Sequence, residues 1–405
     1  MGGPIHKPEQ AVPEIQENIH KYTYVRAHGT ALQPGLDQEG LKNCVNWITD
    51  MHKQIILSFE KILHSIWFVK EVFELILGTV FYVFEAFVRF FIPHPRKDVE
   101  GEIALVTGAA NGIGKLIAKE LGQHGATLVL WDINSEALDR TAKELLQALD
   151  VRVYAYTCDC SRRSEVYRVA ELVKKEVGDV TILVNNAGVV TGKYTFTEAP
   201  DNLVDRTLRV NVAAHFWTYK AFLPVMIQRN HGHLVCVASH GGLFAMNGLA
   251  DYCASKSAAV GFAESIALEL LVLRKEGVKT TIVCPYLINT TMFAGCQTKR
   301  TSFLPILDWR DTAKKIVDAI LREQMYLLLP SSLNFMMALK SLMPAKLGII
   351  FVNFFGGMDL MDHFRGVPVP IISYKKPQRQ QNDSVNDPPP HTYLLQLSKM
   401  CPNTP

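Results

Sequence analysis

Three side chains near the middle of the sequence have the types and spacing to oxidise an alcohol: Ser239, Tyr252 and Lys256. Tyr252 and Lys256 stand four apart in Tyr252-Cys-Ala-Ser-Lys256, so on a helix they share one face. A free phenol titrates near pH ~10, too high for a base at neutral pH. A neighbouring ammonium favours the phenolate and draws that value down towards the working range. Tyr252 would then take the hydroxyl proton while hydride leaves the carbinol carbon. Ser239, just beyond the strand-like run His233–Val237, would hydrogen-bond the same oxygen, fixing its position and stabilising developing charge. Taken alone, a Tyr-x-x-x-Lys pair is also an ordinary feature of helix surfaces. Hydride chemistry needs an acceptor, so the upstream sequence decides.

That acceptor site reads from residue 102 onward. Ile103–Thr107 has the apolar, β-branched composition of a strand and runs into Gly108-Ala-Ala-Asn111-Gly112-Ile113-Gly114, followed by helical character over 115–122. Strand, glycine turn and helix in that order are what a dinucleotide pyrophosphate requires: close backbone approach, oriented N–H groups and a positive helix end. The next strand, Thr127–Trp131, ends in Asp132. A carboxylate there can bind both adenosine ribose hydroxyls and repels a 2′-phosphate. By itself Asp132 fits a turn or N-cap acid equally well; joined to the glycine turn, it favours NAD over NADP. Asp159 is placed to accept from the adenine amino group, and Asn185-Asn-Ala187-Gly188 follows the fourth strand at the edge where such sheets bind ligands. Asn and Gly are also common turn residues, so that motif is neutral on its own.

These residues need a scaffold that brings distant strand ends together. Helical patterns over 136–149 and 164–177 alternate with strands over 151–157 and 181–184, and a last strand falls near 325–329. Such alternation predicts an α/β fold, a Rossmann-type doubly wound parallel sheet. Ahead of it lies an N-terminal apolar membrane-anchor helix. Residues 55–92 are dominated by Ile, Leu, Val and Phe and stop at Pro93-His-Pro-Arg96-Lys97. At 100° per residue Glu71, Glu74, Gly78, Tyr82, Glu85 and Arg89 form one narrow stripe. A buried core helix, a bilayer span and an interfacial helix compete. The in-line charges favour interfacial or hairpin insertion, with Arg96-Lys97 as a cytoplasmic flank. The chain thus divides into a polar extension (1–54), an apolar anchor (55–98), an NAD-binding domain (99–330), a second apolar region (331–375) and a tail (376–405) that reads as disordered.

Composition excludes other classes. With 42 Lys and Arg against 39 Asp and Glu, no surplus of positive charge exists to neutralise nucleic-acid phosphates. Eight cysteines are too few for a disulfide scaffold, and Cys158-x-Cys160 lacks further ligands at metal spacing, so no metal site is expected. Cys253 beside Tyr252 reads as inert packing, His233 as a structural hydrogen-bonding residue, and His240 as a candidate lining of the substrate entrance.

Thr107-Gly-x-x-x-Gly-x-Gly114, Asn185-Asn-Ala-Gly188, Asn211, Ser239, Tyr252 and Lys256 together resemble the short-chain dehydrogenase/reductase superfamily. The resemblance implies that Asn211 is a fourth catalytic member, holding a backbone kink and a water that relays protons from Lys256. Lys256 and Tyr252 would also contact the nicotinamide ribose. Pro285 and Thr290 would face the nicotinamide; Tyr286 replaces the usual glycine after Pro285, which keeps Thr291 as a competitor. Segments such as Leu130-Trp-Asp-Ile-Asn134, Tyr156-Thr-Cys-Asp-Cys160 and His215-Phe-Trp-Thr218 are similar to the membrane-bound retinol and 17β-hydroxysteroid dehydrogenases. That likeness spans about residues 70–370. It implies NAD-dependent oxidation of a lipophilic alcohol, foremost all-trans-retinol, at the endoplasmic reticulum membrane with a cytosolic catalytic domain, lipid droplets being a second location. A homodimer is a further implication of the resemblance. The alternatives are a hydroxysteroid or long-chain alcohol as substrate, or a lipid-droplet or membrane scaffold that keeps the cofactor fold without turnover. The apolar stretches at 335–339 and 347–355 are each too short to span a bilayer. They form either a membrane-dipping lip for a lipid-soluble alcohol or helices that close the far side of the core.

Overall fold

A computed structural model of the chain describes residues 38–366; the extension before Gln38 and the tail from 376 lie outside the described residues. The chain forms two units, divided after Ile92. The first is one 54-residue helix, α1 (Gln38–Phe91), which starts well ahead of the apolar segment expected from residue 55. Its large apolar side chains are exposed along most of its length, and Lys70–Glu74 and Glu85–Arg89 pair one turn apart. No helix among the described residues is long and apolar enough to cross a membrane.

The second unit carries the sheet. Strands β1 (Ile103–Thr107), β2 (Thr127–Asp132), β3 (Val153–Thr157), β4 (Ile182–Asn185), β5 (Gly232–Val237), β6 (Val278–Pro285) and β7 (Tyr326–Leu329) all pair in parallel, in the order 3-2-1-4-5-6-7. Helices α2 (Gly112–Gln123), α3 (Ser135–Ala148), α4 (Arg163–Glu176), α5 (Asp201–Leu208), α6 (Ala214–Arg229), α7 (Ala250–Val272) and α8 (Trp309–Leu321) cover both faces. Alternation within β1 shows why the strands must be apolar on both sides. Ala104 and Val106 pack with Ile117, Leu121, Ile316 and Ile320 on one face, while Leu105 packs with Val166, Phe222 and Leu234 on the other.

The order of strands reverses between β1 and β4. The connections leaving their carboxyl ends run to opposite faces of the sheet there, which opens the crevice where such sheets bind ligands. Two short helices, α9 (Ser332–Leu342) and α10 (Ala345–Phe354), follow β7.

The link at 93–99 packs onto the second unit. Arg96 and Lys97 are engaged within the catalytic unit. Arg96 Nε donates to Asp318 Oδ1 at 2.7 Å, and Arg322 donates to the carbonyl of His94 at 2.5 Å. Lys97 N donates to Leu321 O at 2.7 Å, while its Nζ donates to His233 Nδ1 at 2.9 Å. His233 Nε2 in turn donates to Thr281 Oγ1 at 2.8 Å, which gives this histidine the structural role its position suggested. Burial pulls the Lys97 ammonium below its usual range, partly offset by Glu323.

Candidate active site

The glycine turn closes against the loop after β4. Gly108 adopts φ +67°, and a Cβ on it would lie 2.9 Å from the Ala187 Cα; one on Gly114 would lie 2.2 Å from the Gly108 carbonyl oxygen. Gly112 also has positive φ (+59°), yet a Cβ there would touch nothing, so the space above the first turn of α2 is open. Asn111 precedes that helix without a side-chain cap bond, leaving the first-turn N–H groups available to an anion. Gly108, Gly112, Ile113, Gly114 and Asn111 line one cleft, and the arrangement fits a dinucleotide pyrophosphate.

Asp132 closes β2 at the carboxyl edge of the sheet. Its two oxygens accept from Ala110 N and Asn134 N, each at 3.0 Å, which aims the carboxylate into the crevice. Asp159 borders the same recess, with Oδ1 accepting from Ser161 Oγ at 2.6 Å.

The motif after β4 divides differently from the sequence expectation. Asn185 is buried and exchanges hydrogen bonds with Thr218 on α6 (2.8 and 3.0 Å), so its side chain does not line the cleft. Asn186 does: its Nδ2 donates to the carbonyls of Thr107 (2.9 Å) and Gly108 (3.2 Å), tying the two loops together. Successive strand residues point to opposite faces, and that alternation was the available signal for choosing Asn186. Ala187, Gly188 and Val189 complete the wall. Ile133 and Arg206 border the recess of Asp132 and Asp159 as well; Arg206 comes from α5 and carried no sequence signal.

Ser239, Tyr252 and Lys256 meet in the cleft that holds the glycine turn. Ser239 Oγ accepts from Gly241 N at 3.1 Å, which orients the hydroxyl, and Ser239 hydrogen-bonds Tyr252. Lys256 Nζ donates to Val237 O at 3.0 Å and lies 5.9 Å from the Tyr252 ring centroid. The expected lowering of the phenol by Lys256 is not what the geometry gives. Burial raises the Tyr252 phenol, its hydrogen bond from Ser239 lowers it by less, and burial lowers the Lys256 ammonium.

Asn211 sits in a π-helical turn, Arg209–Ala213, between α5 and α6. The kink turns its fully buried side chain onto Val189: Oδ1 accepts from Val189 N at 2.8 Å and Nδ2 donates to Val189 O at 3.0 Å. It also donates to Ser255 Oγ at 3.0 Å, reaching the helix of Tyr252 and Lys256.

The segment after β6 roofs the cleft. Pro285, Thr290 and Thr291 all line it, so both threonines stand within it. Phe293 meets the Tyr252 ring edge-to-face at 5.8 Å. His240 is buried in an apolar recess with Phe244, Tyr286, Met336 and Phe351, its ring 4.7 Å from that of Tyr286; burial pulls its pKa down to about 4. Leu333 and Met336 of α9 pack into the core around Tyr252, while Phe335, Leu342, Leu347, Ile350 and Phe354 are exposed.

Cys158 and Cys253 are held protonated: the Cys160 thiol and burial push Cys158 up, and burial pushes Cys253 up. Among the described residues no cluster of His, Cys, Asp and Glu could hold a metal ion.

Residues 102–301 match the family model for short chain dehydrogenase. Epidermal retinol dehydrogenase 2 of Mus musculus is 55% identical over 284 residues, which span 70% of this chain and 92% of that protein. Retinol dehydrogenase 10 of Homo sapiens is 40% identical over 338 residues, 76% of this chain and 97% of its own. The crystal structure of a short chain dehydrogenase/reductase from Burkholderia phymatum in complex with NAD superposes with a TM-score of 0.55 at 26% identity, covering 60% of this chain and 94% of that one.

Proposed function

This chain belongs to the short-chain dehydrogenase family and is an oxidoreductase, and on that premise we propose that it oxidises a lipophilic alcohol, foremost all-trans-retinol to all-trans-retinal, with NAD. The observation that carries the reading is the meeting of Ser239, Tyr252 and Lys256 with the glycine turn in one cleft. The similarity to retinol dehydrogenases over most of their length supports the substrate class. For the cofactor, the support is the Asp132 carboxylate at the adenosine end, where a 2′-phosphate would meet negative charge.

NAD, when bound, supplies the acceptor for the hydride. The glycine turn and the first turn of α2 hold its pyrophosphate, Asp132 its adenosine ribose, and Tyr252 with Lys256 its nicotinamide ribose. Ser239 Oγ binds the alcohol oxygen and fixes it beside Tyr252, whose phenolate, stabilised by the Ser239 hydrogen bond against the burial that disfavours it, takes the hydroxyl proton as the carbonyl forms. Lys256 places positive charge next to that phenol at the moment charge develops. Asn211 keeps Val189, and with it the cleft wall, in register.

Membrane attachment is the second part of the proposal. The exposed apolar surface of α1, with its in-line charges, suits an interfacial or hairpin anchor at the endoplasmic reticulum. Separately, the exposed apolar side chains of α9 and α10 suit a lip that dips into lipid and admits the alcohol.

The decisive experiment supplies NAD and NADP to vesicles carrying the full chain, with all-trans-retinol, a 17β-hydroxysteroid or a long-chain alcohol. NADH formation fastest with retinol is expected and should vanish in Tyr252→Phe. No turnover of any alcohol would sink the enzymatic reading and favour a scaffold. Replacing the exposed Phe335, Leu347, Ile350 and Phe354 by serine should weaken vesicle binding while sparing a short soluble alcohol; no change in vesicle binding would remove the lip.

A further inference from the structure

Tyr286 fills the position after Pro285 with a large aromatic side chain, and it stands between two cavities. On one side is the catalytic cleft, which Tyr286 lines together with Ser239, Tyr252 and Pro285. On the other is an apolar recess of about 30 Å³, walled by Tyr286, Phe244, Met246, Met336, Phe351 and Phe355. The recess lies beside the reacting position. A Cβ placed on Gly241 would meet Met246 Cε at 2.7 Å and Tyr252 Cε1 at 3.2 Å, so little more than one atom's width separates the recess wall from the catalytic phenol.

The Tyr286 ring is buried and held from several sides. Its backbone N–H donates to Leu329 O at 2.7 Å, which hangs the residue from the end of the sheet. The ring meets His240 edge-to-face at 4.7 Å. Its hydroxyl donates to Thr298 Oγ1 at 3.2 Å, and Thr298 donates in turn to the Leu304 carbonyl at 2.9 Å. The loop carrying Thr298 is pinned by the segment after α10, through Lys299 to Asp359 at 3.3 Å and Cys296 Sγ to Met361 Sδ at 3.4 Å. Swinging the ring aside would strand the phenol oxygen in a dry interior, which is costly. The partition is therefore stiff.

We propose that Tyr286 is a specificity-determining residue: it closes the catalytic cleft behind the carbinol carbon, admitting a primary alcohol at the end of a narrow hydrocarbon and rejecting a secondary alcohol set in a fused ring system. The inference rests on the dehydrogenase reading above and chooses among the alcohols that reading leaves open. A primary carbinol carries one carbon substituent, so the cleft needs to be open in one direction only. A ring carbinol carries two. With its oxygen held between Ser239 and Tyr252, the second substituent is driven against the Tyr286 ring. The recess behind that ring is too small to take a ring system, and its close-packed wall yields only at the expense of core packing. Rejection by a fixed wall discriminates more strongly than a missing contact does.

The test uses the full chain in lipid vesicles with NAD and compares kcat/KM for all-trans-retinol and a 17β-hydroxysteroid. Tyr286→Leu, which keeps an apolar core residue, and Tyr286→Gly, which removes the wall, should each raise the steroid-to-retinol ratio about 10-fold or more. Tyr286→Phe keeps the ring and should return most of the wild-type ratio. An unchanged ratio in Tyr286→Leu overturns the proposal, as does an equal rise in Tyr286→Phe or a wild type that prefers the steroid. Equal losses for both alcohols together with a fall in Tm would make Tyr286 a structural residue only. Equilibrium binding of each alcohol, followed by quenching of protein fluorescence without added nucleotide, separates selection from catalysis. Tyr286→Leu should tighten the steroid relative to retinol by a similar factor, and an unchanged ratio of affinities overturns the proposal. No turnover of either alcohol by the wild type would count against the dehydrogenase reading and leave the binding ratio to decide this one.

Discussion

Asn211 holds the peptide of Val189 at both ends, accepting from its N–H at 2.8 Å and donating to its carbonyl at 3.0 Å. One side chain in a π turn thereby fixes the wall of the cofactor cleft against the helix pair that carries the catalytic groups. Asn211→Leu would leave the Val189 groups without partners in a dry interior, at about 1–3 kcal/mol each. It should lower Tm by several degrees and kcat by about 100-fold, because displaced reacting groups lose rate steeply. Thermal unfolding and steady-state kinetics with NAD check both.

Removing the phenolic oxygen isolates the base. Tyr252→Phe should reduce kcat by about 100- to 10,000-fold, the range of general acid–base catalysis, while nucleotide binding measured by protein fluorescence persists. Ser239→Ala should act in the same direction with a larger rise in KM, the outcome expected if Ser239 holds the substrate oxygen as proposed.

The proposed reading makes nucleotide choice turn on the Asp132 carboxylate. Asp132→Ala removes the charge that opposes a 2′-phosphate together with the acceptors for Ala110 N and Asn134 N. Its NAD affinity should fall about 10-fold and its NADP affinity rise, as read by titration with each nucleotide. Unchanged discrimination would move the determinant elsewhere in the adenosine recess, with Arg206 the first residue to test.

Stability should fall in mild acid. Burial depresses His240 to about 4 and His215 to about 3 and holds His233 well below the usual value. Between those values and about 6.5, the unfolded chain binds protons that the folded one does not, so stability rises with pH across that window. It is fully present above about pH 6.5 and is lost as pH falls towards 3–4. For His240 alone the loss by pH 4 is on the order of 3 kcal/mol, and His215 and His233 add to it in the same direction. Denaturant titrations at several pH values measure it, and His240→Phe should flatten the slope.

The link at 93–99 belongs energetically to the catalytic unit. Arg96→Gln with Lys97→Met breaks the contacts to Asp318 and His233 and should lower the Tm of that unit, leaving vesicle binding as it was. Weakened vesicle binding at unchanged Tm would return these two charges to a membrane role.

By itself the sequence determined the chemistry and the frame that carries it. Gly108, Gly112 and Gly114 announce a pyrophosphate turn because the first two take a backbone few other residues tolerate and the third leaves no room for a Cβ, Asp132 marks a strand end, and the four-residue step from Tyr252 to Lys256 is local helix geometry. Apolar strands alternating with helices likewise predict a parallel sheet, because only burial on both faces explains them. Tertiary structure decided whatever depends on which way a side chain turns and what meets it from elsewhere in the chain. It turned Asn185 to Thr218 and Asn186 to the glycine turn, although the two are neighbours of one type. It drew Arg96 and Lys97 onto Asp318 and His233, far away in sequence, and brought Arg206 to the adenosine recess. It also buried Tyr252 deeply enough to raise its phenol against the sequence expectation, since desolvation is set by the whole surrounding fold and spacing along a helix reports only proximity.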